Sequence, residues 1–226
     1  MGGVIHVYDV AKSGYDTIRI EAESLIGIAV VGERIYVTDS VGRKVICIDR
    51  KGHVLWTRGE RDGFARPTGI AASADLLYVV DTLQNRVVML GLSGTPFGSF
   101  GTRGSGPGQF NYPTNIARTP DGRLLVTDTM NFRVQVLDRK GTPLSVFGRL
   151  GDAPGDFDKP KGVATDSSGH IYVVEGLNDV VQIFDESGRL LLAFGGSGAG
   201  PGQLWLPSGI TIADDLVYVA DAANRR

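Results

Sequence analysis

The residues of this 226-residue chain that could do chemistry are three histidines, five evenly spaced acids and two glycine-rich runs. His6 lies in a β-branched run, whereas His53 follows Lys51-Gly52 and His170 follows Ser168-Gly169. A zinc site needs three or four converging ligands. Calcium needs several oxygens from one place. The acids Asp39, Asp81, Asp128, Glu175 and Asp221 are 42, 47, 47 and 46 residues apart. Four of them are followed five residues later by a cation, Lys44, Arg86, Arg133 or Arg226. Such carboxylate–cation pairs would close a loop. A group that recurs in every repeat reads as structural rather than catalytic. If partly exposed, each pair contributes about 1 kcal/mol or less. Asp81, Asp128, Asp221 and Arg226 are therefore read as structural loop residues. The fourth copy departs, with Glu175 for Asp and Val180 for the cation, after Asn178-Asp179. It loses its cation and gains an acid at the loop tip, which reads either as a break in the symmetry of a binding face or as neutral drift.

Gly104-Ser105-Gly106-Pro107-Gly108 and Gly198-Ala199-Gly200-Pro201-Gly202 resemble phosphate loops only superficially. No helix and no Lys-Ser/Thr follows, so a P-loop is excluded. They recur between repeats and read as connections. No nucleophile–base set is visible, so no catalytic residue, metal or cofactor is assigned.

The elements that carry these residues repeat. Pro67-Thr68-Gly69-Ile70-Ala71, Pro113-Thr114-Asn115-Ile116-Ala117, Pro160-Lys161-Gly162-Val163-Ala164 and Pro207-Ser208-Gly209-Ile210-Thr211 open successive units, with Ile26-Gly27-Ile28-Ala29 as a degenerate first copy. A β-branched run ending in the acid follows each, as in Ile35–Asp39 and Val217–Asp221. A third run follows, such as Val134-Gln135-Val136-Leu137, and a fourth ends in Phe-Gly at 100, 147 and 194. Short β-branched runs favour strands. Asp121-Gly122 and Ser168-Gly169 supply turns between strands one and two. Lys51-Gly52, Ser93-Gly94, Lys140-Gly141 and Ser187-Gly188 supply those between strands three and four. No segment has helical periodicity.

Four strands in about 40–50 residues make a β-propeller blade. The expected fold is all-β: a single β-propeller domain over 1–226, with antiparallel blades at 21–62, 63–102, 103–149 and 150–196. Residues 1–20 read as strands three and four of a blade, and 197–226 as strands one and two. These complementary halves bring the total to five blade-equivalents. Neither Trp56 nor Trp205 precedes an Asp at a strand end, which argues against a WD-type propeller.

With 23 basic against 25 acidic residues and a net charge of −2, the chain lacks the basic excess of a nucleic-acid binder. Hydrophobic residues at 42% and charged residues at 21% exclude a disordered acidic chain. The lone Cys47 forms no intramolecular disulfide. No apolar run is long enough for a membrane helix. The first residues, Met1 to His6, lack a charged-then-apolar leader pattern.

Pro-x-Gly-Ile-Ala, Tyr-Val-x-Asp, Asn-x-Arg-Val-Gln-Val and Phe-Gly, recurring in phase from about residue 21, resemble the NHL-repeat family of β-propellers. Asn131-Phe132-Arg133-Val134-Gln135-Val136 matches its central motif most closely. Six-bladed lactonase, lyase and receptor-type propellers form a broader possibility. The resemblance implies a six-bladed parent, of which this chain is expected to be a truncated part. The alternative is that the two halves pair into a five-bladed ring, whereas an open ring would associate through its blade edges. The resemblance also favours a periplasmic or secreted location, while the many repeated structural residues and the lack of a singular catalytic set point to a protein or peptide ligand. Some NHL-like propellers are amidating lyases with a histidine-ligated metal, but that ligand set does not map onto this chain.

In a propeller the loops before strands one and three share one face. Here that face carries Arg86, Tyr112, Asn115, Phe132 and Arg133, then Lys161, Asp179, Trp205 and Arg225. Phe132, Tyr112 and Trp205 are the expected exposed aromatics. Tyr112 and Trp205 have a second reading, in which they pack beneath the following proline. Asn115 stands where three other copies carry Gly, a left-handed position or an amide at the channel mouth. The leading expectation is a non-catalytic scaffold presenting this face to a protein or peptide. A metal-assisted lyase or lactonase in the channel, acting on a small molecule, is the second. Single-stranded RNA binding is the third, and the net charge argues against it.

Overall fold

The computed structural model describes residues 3–9 and 14–226. The Ser13-Gly14 turn read from sequence lies partly outside them. β1 (Gly3–Asp9) and β2 (Gly14–Ile20) form a two-stranded antiparallel sheet. Four four-stranded sheets follow, each in sequential strand order. Blade 1 is β3 (Leu25–Val31), β4 (Arg34–Asp39), β5 (Lys44–Asp49) and β6 (Val54–Arg58). Blade 2 is β7 (Pro67–Ala72), β8 (Leu76–Asp81), β9 (Arg86–Gly91) and β10 (Pro96–Phe100). After the two-residue strands β11 (Thr102–Arg103) and β12 (Gln109–Phe110), blade 3 is β13 (Pro113–Arg118), β14 (Leu124–Asp128), β15 (Arg133–Leu137) and β16 (Pro143–Phe147). Blade 4 is β17 (Pro160–Thr165), β18 (Ile171–Glu175), β19 (Val180–Phe184) and β20 (Leu190–Gly195). β21 (Pro207–Ala213) and β22 (Leu216–Asp221) form a second two-stranded sheet. The architecture is that of a β-propeller.

The chain divides into two compact units, the second comprising Asn85–Val87 and Ser99–Arg226. In the first, the hairpin packs Ile5, Ile18 and Ile20 against Ile35, Val37, Ile46 and Ile48 of blade 1. The opposite face of blade 1 packs Tyr36, Val45 and Cys47 against Phe64, Ile70, Leu77 and Val79. In the second, Leu125, Val134 and Val136 of blade 3 meet Val163, Ile171, Val173 and Phe184 of blade 4. A blade covered on both faces buries both sides of its middle strands. β4, β8 and β14 are accordingly buried almost throughout, whereas β10, β16 and β20 are largely exposed. That gradient explains why middle strands read as continuous apolar runs rather than alternating ones.

Acids shape the turns at one end of the blades. Asp138 accepts the N–H of Lys140 and Thr142. Asp185 accepts those of Ser187 and Arg189 and the Ser187 hydroxyl, and these bonds hold its carboxyl down at about 2. The turn histidines belong to the same devices. His53 Nδ1 lies 2.8 Å from Asp49 Oδ2, and His170 Nδ1 lies 2.8 Å from Asp166 Oδ2.

The glycine after each fourth-strand Phe has a packing reason. Gly148 has φ +90°, and a Cβ there would stand 2.3 Å from the Phe157 ring. A Cβ on Gly101 (φ +93°) would likewise stand 2.5 Å from the Phe110 ring. The connection to the next blade thus folds back and presses its aromatic onto bare backbone. Phe110 and Phe157 are fully buried as a result.

Candidate functional site

The loop end of the second unit holds all nine candidate binding residues. Its geometry follows from one repeated clamp. Asp128 is fully buried and accepts the Asn111 N–H at 2.6 Å through Oδ1. Its Oδ2 accepts Arg133 Nε and Asn131 Nδ2, both at 2.8 Å, and Gln135 Nε2 at 3.1 Å. Asp221 repeats this with the Trp205 N–H at 2.7 Å and with Asn224 Nδ2 and Arg226 Nε at 2.8 Å. Burial pushes the Asp221 carboxyl up, but Asn224, the Trp205 N–H and Arg226 outweigh it and hold it below the usual range. The sequence reading treated these pairs as partly exposed. The carboxylates are in fact buried, and only the guanidiniums reach the surface.

The guanidiniums have further partners. Arg133 donates to the carbonyls of Ser105, Gly106 and Gln109 at 2.7–3.0 Å. Arg226 donates to Ala199, Gly200 and Gln203 at 2.8–3.0 Å. The Gly-Pro-Gly runs therefore turn carbonyls onto a cation rather than N–H groups toward an anion. Arg133 is a staple before it is a binding group. Arg86, half-buried, opens β9.

Blade 4 closes differently. Glu175 is buried and accepts the N–H of Lys159 (2.6 Å), Asp158 (3.0 Å) and Leu177 (3.3 Å). Burial raises its pKa, against the lowering by those N–H groups, and the Asp158 charge adds to the rise. Lys161 lies along Gly176, where a Cβ would stand 2.6 Å from its Cε. Burial and Lys159 lower its pKa, while Glu175 and Asp179 oppose them.

The Glu175 shift has a sign that can be tested. Its folded pKa stands above the unfolded value, so the folded state holds more protons in that window, and stability falls as pH rises through it. Glu175→Gln removes this titration. The variant is expected to gain stability relative to the parent between about pH 4.5 and pH 7.5, read from urea midpoints at both. A relative loss would show that the N–H bonds make the charged carboxylate the favoured form.

The residue just before strand three is left-handed in each blade: Arg43, Asn85, Phe132, Asp179 and Arg225 have φ of 52–56°. Where it is Asn or Asp, its side chain reaches the next connection. Asn85 Oδ1 accepts the Tyr112 N–H at 2.9 Å, and Asp179 Oδ1 accepts the Leu206 N–H at 2.7 Å. Tyr112 and Leu206 are themselves left-handed. Asp179 also accepts the Ser197 hydroxyl at 2.6 Å. It is buried, so the expected acid at the loop tip is an internal clamp.

The aromatics divide. Phe132 is half-buried, contrary to expectation, because it packs against the apolar blade 3–blade 4 core. Tyr112 and Trp205 (54% accessible) are exposed, and Arg225 is also exposed. Asn115 is not left-handed. Its Oδ1 accepts the Ile116 N–H at 2.7 Å, and its own N–H donates to Thr127 Oγ1. Two of the glycines at the matching places answer a close approach instead: a Cβ on Gly27 would stand 2.3 Å from the Thr68 carbonyl oxygen, and one on Gly162 2.8 Å from that of Ser208.

The sequence reading missed an apolar series. Val41, Leu83, Met130 and Leu177 each stand two residues after the recurring acid, and all are exposed. Their periodic spacing was the available signal. In the second unit Met130 belongs to the Tyr112 side of the site, since its N–H bonds the Asn111 carbonyl at 3.0 Å. Leu177 lies beside the Glu175 clamp.

Residues 110–137 match the NHL repeat family. Among solved structures, the chain is similar to a catalytically inactive virginiamycin B lyase from Staphylococcus aureus with quinupristin, at 16% identity. That match covers 97% of this chain and 71% of the other, with a TM-score of 0.71. It is also similar to a chain of a nidogen/laminin complex, at 18% identity over 97% of this chain and 82% of that one, TM-score 0.74. A Bacteroides thetaiotaomicron protein of unknown function matches at 16% identity over 97% and 62%, TM-score 0.70. At these identities the likeness concerns the fold.

Proposed function

From the premise that this chain is an NHL-type β-propeller, we propose that it is a recognition scaffold whose loop face binds a protein or peptide. One observation carries the reading. The recurring charged groups of that face are engaged in clamps, while Tyr112, Met130, Leu177, Trp205 and Leu206 stand exposed around them. Aromatic and methionine side chains in a polar surround are the usual anchors of an interface. Lys159 and Arg225 are exposed cations of the same loop end and suit a ligand with acidic flanks. A protein-bound propeller in the nidogen/laminin complex is compatible in fold. The lyase neighbour makes a channel enzyme the competing reading.

Peptides selected from a random displayed library on the immobilised chain test the proposal. Trp205→Ala is expected to weaken their binding about 10-fold or more, the effect of losing one interface anchor. Leu144→Ala, at an exposed site on outer strand β16, is expected to leave it unchanged. Peptides indifferent to Trp205, or no selectable peptide at all, would overturn the reading.

A further inference from the structure

Blade 4 carries a cation where blades 2 and 3 carry a hydroxyl. In those two blades the residue after the opening proline bonds the residue after the recurring acid. Thr68 and Thr82 bring their hydroxyls within 2.8 Å, and Thr114 and Thr129 within 2.7 Å. Blade 4 replaces both members, with Lys161 for the first threonine and Gly176 for the second. The two replacements belong together. A Cβ on Gly176 would stand 2.8 Å from Lys161 Cδ and 3.1 Å from its Nζ. The bare backbone at 176 is the bed along which the lysine lies.

That lysine is half-buried and has no counter-ion. Among the described residues, the side chains of Lys161 and its neighbour Lys159 form no ion pair and donate no hydrogen bond. The nearby acids are already committed. One oxygen of Glu175 accepts the N–H of Lys159 and Leu177, and the other accepts that of Asp158. Asp179 gives one oxygen to the Leu206 N–H and the other to the Ser197 hydroxyl. Elsewhere on this loop end the fold satisfies its cations: Arg133 and Arg226 each meet a buried carboxylate and three carbonyls. A partly desolvated ammonium without an acceptor is costly. Burial and the Lys159 charge press the Lys161 pKa down, and an anion on the ammonium relieves both effects.

The surrounding acids set the charge of that anion. Lys159 and Lys161 supply positive charge, which Asp179 and Glu175 offset in part. Burial biases Glu175 toward its neutral form. A singly charged group balances the remainder, whereas a doubly charged phosphate would bring its second charge against Asp179. The site also borders the apolar anchors. Asp179, which acts on Lys161, holds the Leu206 N–H beside exposed Trp205, and exposed Leu177 follows Gly176.

We propose that the Lys161 ammonium, with Lys159 next to it, is the binding site for a carboxylate group of the ligand. That the carboxylate belongs to a peptide rests on the recognition reading, and that Lys161 holds a carboxylate does not. A charge-assisted bond made on a half-buried, otherwise unpaired cation fixes the position of the ligand as well as adding affinity.

Acetate is the first probe. The chain has six lysines, so isotope-labelled lysine Cε gives six signals that a titration at constant ionic strength follows separately. The Lys161 signal, identified by its loss in Lys161→Met, is expected to shift saturably. Lys51 and Lys140, exposed in turns between third and fourth strands, are expected to drift without saturating. Peptides selected on the parent chain are the second probe. Lys161→Met is expected to weaken them about 10-fold, the loss of one hydrogen bond to a charged group. Lys161→Thr combined with Gly176→Thr rebuilds the hydroxyl pair of blade 3, keeps the blade closed, and is expected to weaken them equally. Changing an acidic side chain of the peptide to its amide, or amidating its C-terminus, is expected to give the same loss on the parent and none on the double variant. The change that does so identifies the source of the carboxylate. A Lys161 signal that does not saturate with acetate would overturn the site. Peptides that depend on Trp205 but not on Lys161 would also overturn it, and would leave the recognition reading standing. Saturation by acetate with no selectable peptide would support the site and remove that reading.

Discussion

Asp128→Ala is expected to lower the stability of the second unit by about 3–5 kcal/mol, the cost of removing one partner of a buried ion pair. The carboxylate accepts four hydrogen bonds within a fully buried site. Removing it strands the Asn111 N–H and the Gln135 amide, and leaves Arg133 held only by carbonyls. Those carbonyl bonds place the expected loss at the lower end of the range. Urea unfolding followed by near-ultraviolet circular dichroism reads it directly. Asp128→Asn keeps the shape and one acceptor, so an intermediate loss is expected. A loss of under about 1 kcal/mol, the range of a solvated surface pair, would show that water replaces the clamp.

Gly148→Ala tests the other repeated device. The backbone is left-handed there, which costs a Cβ-bearing residue about 1 kcal/mol or more. The new methyl must also displace the Phe157 ring, which it would meet at 2.3 Å. Overpacking of this kind costs about 1–3 kcal/mol, so about 2–4 kcal/mol is expected in all. Gly202→Ala is the control. It has φ +77° and open space around its Cβ position, so only the backbone cost applies. Equal losses in the two variants would show that Phe157 moves aside without penalty.

The sequence determined the blade. Its four β-branched runs, the Gly turns and the acid-to-cation spacing are local, and local propensity and hairpin chemistry suffice to read them. The Asp128–Arg133 and Asp221–Arg226 pairs were legible for the same reason, being five residues apart across one turn. The half-blades were legible because a missing member of a repeat is visible as an absence in the series. What the sequence left open concerns burial. Whether a carboxylate is solvated depends on the connection that folds over it, 16 or 17 residues earlier, as Asn111 does over Asp128 and Trp205 over Asp221. Phe132 and Trp205 look alike as loop aromatics. Only packing against the blade 3–blade 4 core separates the half-buried ring of the one from the exposed ring of the other. Asp179 likewise reads as a surface acid until the next connection brings the Leu206 N–H to it. Strand type and turn type follow from neighbours along the chain. Exposure follows from the blade next door, and that is a tertiary quantity.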